Sequence, residues 1–188
     1  MKISIAIAAF LVGMPIPSFA QTAAAAQGAA SVVAADPKDV GSLDAIVRAL
    51  YECVSGAKGV PRDFDRMRSL FATNARLWQG NPGPDGKPRQ RSWTVDEYMA
   101  AAGPQLLASG FFENEIGRST QSFGNVSHVM SAYASRLTPD AAPFSRGVNS
   151  IQLLNGHDRW YIVSVFWDAE RPNNPIPPEL LAPKPPPN

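Results

Sequence analysis

The feature that most constrains the fold lies in the second half of the chain. Four strand-length runs, 111–121, 126–137, 144–154 and 159–167, carry β-branched and aromatic residues and are separated only by the short turns 122–125, 138–143 and 155–158. A short turn can join only antiparallel neighbours, because a parallel pair needs a crossover of a dozen or more residues. The spacing therefore predicts a four-stranded meander. A sheet of that kind has one face to bury, and the residues ahead of it must supply the cover.

They read as helices. Ser42 is placed to cap a helix in which Leu43, Ile46, Val47, Leu50, Tyr51 and Val54 form one apolar stripe, ended by Gly56 and Gly59. A second helix is expected from about Asp63, burying Phe64, Met67, Leu70 and Phe71, followed by a short strand over 75–79 with Leu77 and Trp78. Residues 81–91 are polar and rich in Pro and Gly, hence a loop. Thr94 and Glu97 form a capping box that opens a third helix running towards 105–107. The expectation is an α+β fold, with three N-terminal helices packed on a strongly curved antiparallel sheet that forms an open cone.

The two ends differ from this middle. Lys2, the apolar run 3–13 and Ser18-Phe19-Ala20 read as a signal peptide over 1–20, cleaved before Gln21, which predicts a periplasmic or secreted protein. Residues 21–39 read as a flexible Ala-rich linker, 40–170 as the domain, and 171–188 as a Pro-rich extended tail. After cleavage no apolar run remains that could span a bilayer, so no membrane partner is expected. With Lys+Arg 17 against Asp+Glu 16, nothing electrostatic calls for nucleic acid. Cys53 is the single cysteine and reads as a small buried hydrophobe. His128 and His157 lack ligand spacing, so no metal and no cofactor is expected.

The closing stretch Arg146-Gly147-Val148-Asn149-Ser150-Ile151-Gln152-Leu153-Leu154, followed by Arg159-Trp160-Tyr161-Ile162-Val163, resembles the final hairpin of the nuclear transport factor 2-like superfamily. With the order of elements, the resemblance covers about 40–168. It is nearer to the exported bacterial members of that SnoaL-like, ketosteroid isomerase-like group than to its enzymes. The resemblance implies a bent sheet wrapped around helices, whose open end often holds a small apolar ligand. Its members include steroid isomerases, polyketide cyclases, dehydratases, epoxide hydrolases and pure binding or dimerisation modules, so the fold leaves function open.

Turn register then suggests which residues share the inner face. Pairing Leu154 with Arg159 sets Asn149 opposite Ser164, Ile151 opposite Ile162 and Leu153 opposite Trp160, with Phe166 on the same side. Pairing Leu137 with Phe144, and Gln121 with Val126, extends the row to Ala132 and Glu115, with His128 and Glu113 on that face but off the row. One residue of slip inverts a strand. The opposite face, with Arg146, Val148, Ser150, Gln152, Tyr161, Val163, Val165 and Trp167, suits a homodimer contact.

The candidates are thus Glu115 and His128 for catalysis, and Trp78, Tyr98, Asn149 and Ser164 for binding a small apolar ligand. Against them stands a plainer arrangement: carboxylates facing solvent, Asn149 and Ser164 satisfying backbone groups, and Trp78, Trp93 and Trp167 as core. The steroid isomerases' Asp/Tyr set finds no residue-by-residue match, and a dehydratase-like pair would need His128 with a partner not yet assigned. Two functions follow: an exported small-molecule-binding or dimeric scaffold domain, or an acid–base enzyme of isomerase, cyclase or dehydratase type acting without cofactor on a small hydrophobic substrate. A buried Glu or His with a shifted pKa within reach of Asn149 favours the enzyme.

Overall fold

The computed structural model describes residues 34–83, 86–87 and 91–181. The expected signal peptide, most of the linker and residues 182–188 lie outside the described residues.

Helix α1 (Pro37–Val40) starts inside the expected linker. Asp39 is only 2 % exposed and holds Arg66 through two hydrogen bonds of 2.7 and 2.9 Å, so the folded part begins ahead of Val40. Helix α2 (Leu43–Val54) forms as its stripe predicts, with Ser42 Oγ accepting from Ala45 N at 3.1 Å. Ile46, Val47 and Leu50 are all buried, each contributing roughly 1.5–3 kcal/mol relative to an exposed position. Helix α3 (Phe64–Ser69) is capped by Asp63 and leads directly into strand β1 (Phe71–Gln79), which is longer than expected. Strand β2 (Arg91–Trp93) follows, and then helix α4 (Val95–Ser109), opened by the Thr94–Glu97 capping box.

Strands β3 (Phe112–Phe123), β4 (Val126–Arg136), β5 (Ser145–Asn155) and β6 (Trp160–Ala169) are the expected meander. The sheet order is β2-β1-β6-β5-β4-β3, antiparallel at every ladder except β1–β6, which is parallel. It is curved and does not close. Register breaks in the β1–β6, β3–β4 and β5–β6 ladders bend it, as bulges do. Helix α2 lies across its inner face against β3 and β6.

The register differs from the expected one, and the difference decides the site. At the last hairpin Leu153 pairs with Ile162, two residues from the expected pairing, which keeps faces unchanged. An extra residue at Val163 then inverts the rest of β6, so Asn149 pairs with Trp167 and Gln152 with Ser164. Val165 and Trp167 therefore turn into the cone, while Ser164 and Phe166 turn out. Between β4 and β5 the slip is one residue, so Ser131 rather than Ala132 lies beside Asn149. Phe144 stays outside β5, its ring edge-on to Phe111 at 6.2 Å, and the strand starts one residue later. Ser127, Val129, Ser131, Tyr133 and Ser135 face the cone, and His128, Met130 and Ala132 face away.

The tail lies against the outer face. Ile176 and Leu180, the latter in a single 3₁₀ turn (Pro178–Leu180), pack on Ala132, Ile116, Met130 and Val148. Gly117 permits this, because a Cβ there would overlap the Leu180 carbonyl. Part of the face expected to meet a second copy is thus covered by the chain itself. Among the described residues no helix is long and apolar enough to cross a membrane.

Candidate functional site

Between the inner face of the sheet and helices α2 and α4 lies a cavity of about 200 Å³. Leu50, Val54, Met67, Leu77 and Val165 make most of its wall apolar. Its polar groups are few, and Glu113 is the single carboxylate among its lining residues.

Glu113 pairs across the sheet with Ser135, whose Oγ donates to Glu113 Oε2 at 2.8 Å. The Asn149 amide lines the same cavity and also favours the charged form of Glu113. Its backbone is fixed by the end of α2: Ser55 Oγ accepts from Glu113 N at 2.9 Å and donates to Tyr51 O at 2.7 Å. Burial drives the carboxyl up to about 7, against the opposing pull of the Ser135 hydrogen bond and the Asn149 amide. Such a group is divided between acid and carboxylate at neutral pH.

Three phenols surround it. Tyr51 comes from α2, Tyr98 from α4 and Tyr133 from β4. Burial raises the pKa of each, and a negative charge on Glu113 raises it further, so all three stay neutral hydrogen-bond donors. Tyr98 stands edge-on to Trp93 and Trp167 at 6.3 and 6.0 Å, and those indoles stack on each other at 5.9 Å. The Tyr133 hydroxyl lies over Gly147, where a Cβ would overlap it and the Asp168 carbonyl.

Of the residues expected here, Asn149 and Tyr98 line the cavity and four others do not. Glu115, a candidate base, faces inwards outside the cavity lining and is held by Arg118 Nε at 2.7 Å and by Ser131 Oγ at 2.6 Å. His128 is on the outer face, 2.9 Å from Ser150 Oγ. Ser164 is also on the outer face, opposite Gln152, because of the extra residue in β6. Trp78 pairs with Phe166 on the outer face and is 40 % exposed, so the aromatic wall is Tyr98 and Trp167 instead, with Trp93 stacked on Trp167. Glu113 was placed on the correct face by strand alternation, but nothing in that alternation separates it from Glu115. The deciding partner, Arg118, sits three residues beyond Glu115 and would face the other way in a regular strand. The irregularity between Glu115 and Gly117 puts both on one face.

Cys53 is buried and its thiol is pushed up to about 12 by that burial, which leaves it protonated. Among the described residues no group of three or more His, Cys, Asp or Glu is arranged to hold a metal ion.

No protein-family model matches this sequence, and no curated protein resembles it significantly. Solved structures do resemble the fold. A protein with a cystatin-like fold from Caulobacter vibrioides is 11 % identical, with a TM-score of 0.52 over 71 % of this chain and 90 % of its own. A nuclear transport factor 2-like protein from Silicibacter pomeroyi is 17 % identical, with a TM-score of 0.46 over 69 % of this chain and 94 % of its own. Another from Methylobacillus flagellatus is 13 % identical, with a TM-score of 0.44 over 69 % and 95 %. Identities this low speak to fold alone, and the fold shared with the Caulobacter protein is cystatin-like.

Proposed function

We propose that the chain is an acid–base enzyme that moves a proton on a small, largely apolar substrate carrying a carbonyl group, with Glu113 as the proton-transferring residue. The observation that supports this best is the pairing of a carboxyl raised to about 7 with an apolar cavity of about 200 Å³. A base whose pKa lies near the working pH combines availability with driving force. The apolar walls keep water from competing for the proton. As a proton leaves the carbon beside a carbonyl, charge grows on the oxygen, and a neutral phenol such as Tyr98 is a donor that can meet it. The cavity is smaller than the ~300–1,000 Å³ of pockets for drug-sized ligands, so the substrate is small.

The test is deuterium exchange from heavy water into small cyclic ketones and enones, followed by proton NMR. Wild-type protein should catalyse exchange, and Glu113→Gln should lose about 10²–10⁴-fold of the rate. Equal exchange by both proteins would overturn the reading. Quenching of tryptophan fluorescence by the same ketones without exchange would favour the binding-domain reading, to which the Tyr98–Trp167 wall is equally suited.

Export remains part of the proposal and rests on residues 1–20. N-terminal sequencing of exported protein should begin at Gln21, and Met1 on that material would sink the idea. Pairing of two copies is retained for the strip of outer face around Trp78, Val163 and Phe166, which are 40, 42 and 51 % exposed. Sedimentation should show a dimer that Val163→Arg dissociates, and a wild-type monomer at high concentration would exclude it.

A further inference from the structure

Beneath the cavity a line of side chains connects Glu113 to the far edge of the cone, and its hydrogen bonds can run in only one direction. The Arg118 guanidinium, 8 % exposed, can only donate. It holds the Glu115 carboxylate through Nε at 2.7 Å and through Nη2, and reaches Asp44 at 2.9 Å with its remaining arm. Glu115 Oε1 also accepts from Ser131 Oγ at 2.6 Å. A serine hydroxyl has one proton, and Ser131 commits it to Glu115. Towards the Tyr51 hydroxyl, 2.6 Å away, Ser131 is therefore an acceptor and Tyr51 the donor. With its proton so committed, Tyr51 can only accept from Asn149, and Asn149 Nδ2 donates to it at 3.2 Å. The same amide lines the cavity with Glu113 and favours its charged form.

We propose that the Arg118–Glu115 ion pair is a positioning element for Glu113: acting through Ser131 and Tyr51, it holds the Asn149 amide with its N–H side, rather than its carbonyl, towards the Glu113 carboxyl. The inference deepens the acid–base reading, since it says what tunes the proton-transferring group. Turned over, the amide would set its carbonyl oxygen against the carboxylate. That contact is tolerable only when Glu113 carries a proton, so an overturned amide holds Glu113 in its acid form. Ser131 and Tyr51 are thus positioning residues, which act on Glu113 through the Asn149 amide. The other groups facing Glu113 are Ser135 and the neutral phenols Tyr98 and Tyr133. No other charged residue is among those lining the cavity, so the orientation of the Asn149 dipole matters there.

Ser131→Ala makes the sharp test. It frees the Tyr51 proton, which then donates to the Asn149 carbonyl and overturns the amide. The Glu113 carboxyl, followed by carbon-13 NMR in glutamate-labelled protein, should titrate ~1 pH unit higher than in wild type. Adding Tyr51→Phe removes the misdirected donor, and the double variant should return towards the wild-type titration. General loosening of the core would make the double variant depart further than the single one. That outcome, or an unmoved titration in Ser131→Ala, overturns the proposal. Should Ser131→Ala fail to fold, the wild-type protein still decides. Nuclear Overhauser contacts from the Asn149 amide protons should reach both Tyr51 and Glu113, and their absence at Glu113 refutes the orientation. These readings need no substrate, so a protein that titrates as stated but exchanges no deuterium refutes the enzyme reading alone.

Discussion

Glu113 and Glu115 sit two residues apart on β3, face the same side of the sheet, and have opposite surroundings. Glu113 borders an apolar cavity, where the Ser135 hydroxyl and the Asn149 amide offset its burial in part. Glu115 meets a guanidinium that grips both its oxygens. One carboxyl is left able to exchange a proton near neutral pH, and the other is tied into an ion pair that orients its neighbours. Environment assigned the two roles, since the side chains are identical.

The contrast breaks most severely if Glu115 loses its partner. Arg118→Met should destabilise the protein by about 3 kcal/mol in urea unfolding, because it leaves a largely buried carboxylate uncompensated. An unchanged midpoint would mean that the pair is not structural. Glu113→Gln should act in the opposite direction. The folded carboxyl titrates at about 7, above its ordinary value of 4.5, so between those values the unfolded chain has released a proton that the folded chain still holds. Stability contributed by the protonated group is thus complete below pH 4.5, falls as pH rises, and levels off above pH 7. Removing the ionisable group should stabilise the protein at pH 8 by up to about 3 kcal/mol and change little at pH 4. Melts at the two pH values compare directly, and equal shifts at both would place Glu113 in water.

The smallest effect sharpens the contrast from outside. Ser164→Ala, on the outer face, should alter stability by less than about 0.5 kcal/mol and leave the Glu113 titration where it was. A shifted titration would place Ser164 at the cavity after all and undo the β6 register.

Much of the frame was legible from residues alone. The Ser42 and Thr94 caps, the α2 stripe and the four strand runs depend on neighbours close in sequence, and the structure places these elements within a few residues of their expected positions. Strand β2 was missed because its three residues border a Pro/Gly-rich loop and acquire strand character only by pairing with β1. Helix α1 was missed because its anchor, Asp39, finds Arg66 far along the chain. The cavity was half legible: Asn149 and Tyr98 belong to it, whereas Ser164, Trp78 and His128 do not.

Local sequence determined the helices, their caps, the strand runs and the presence of an inner face carrying Glu113, Glu115 and Asn149, because periodicity and capping act over a few residues. Only the tertiary structure decided which carboxylate meets Arg118, which half of β6 turns inwards, and what the tail covers. Each of those outcomes depends on a single-residue irregularity or on contacts between distant segments. An extra residue in one strand costs little locally, yet it exchanges the two faces of everything beyond it.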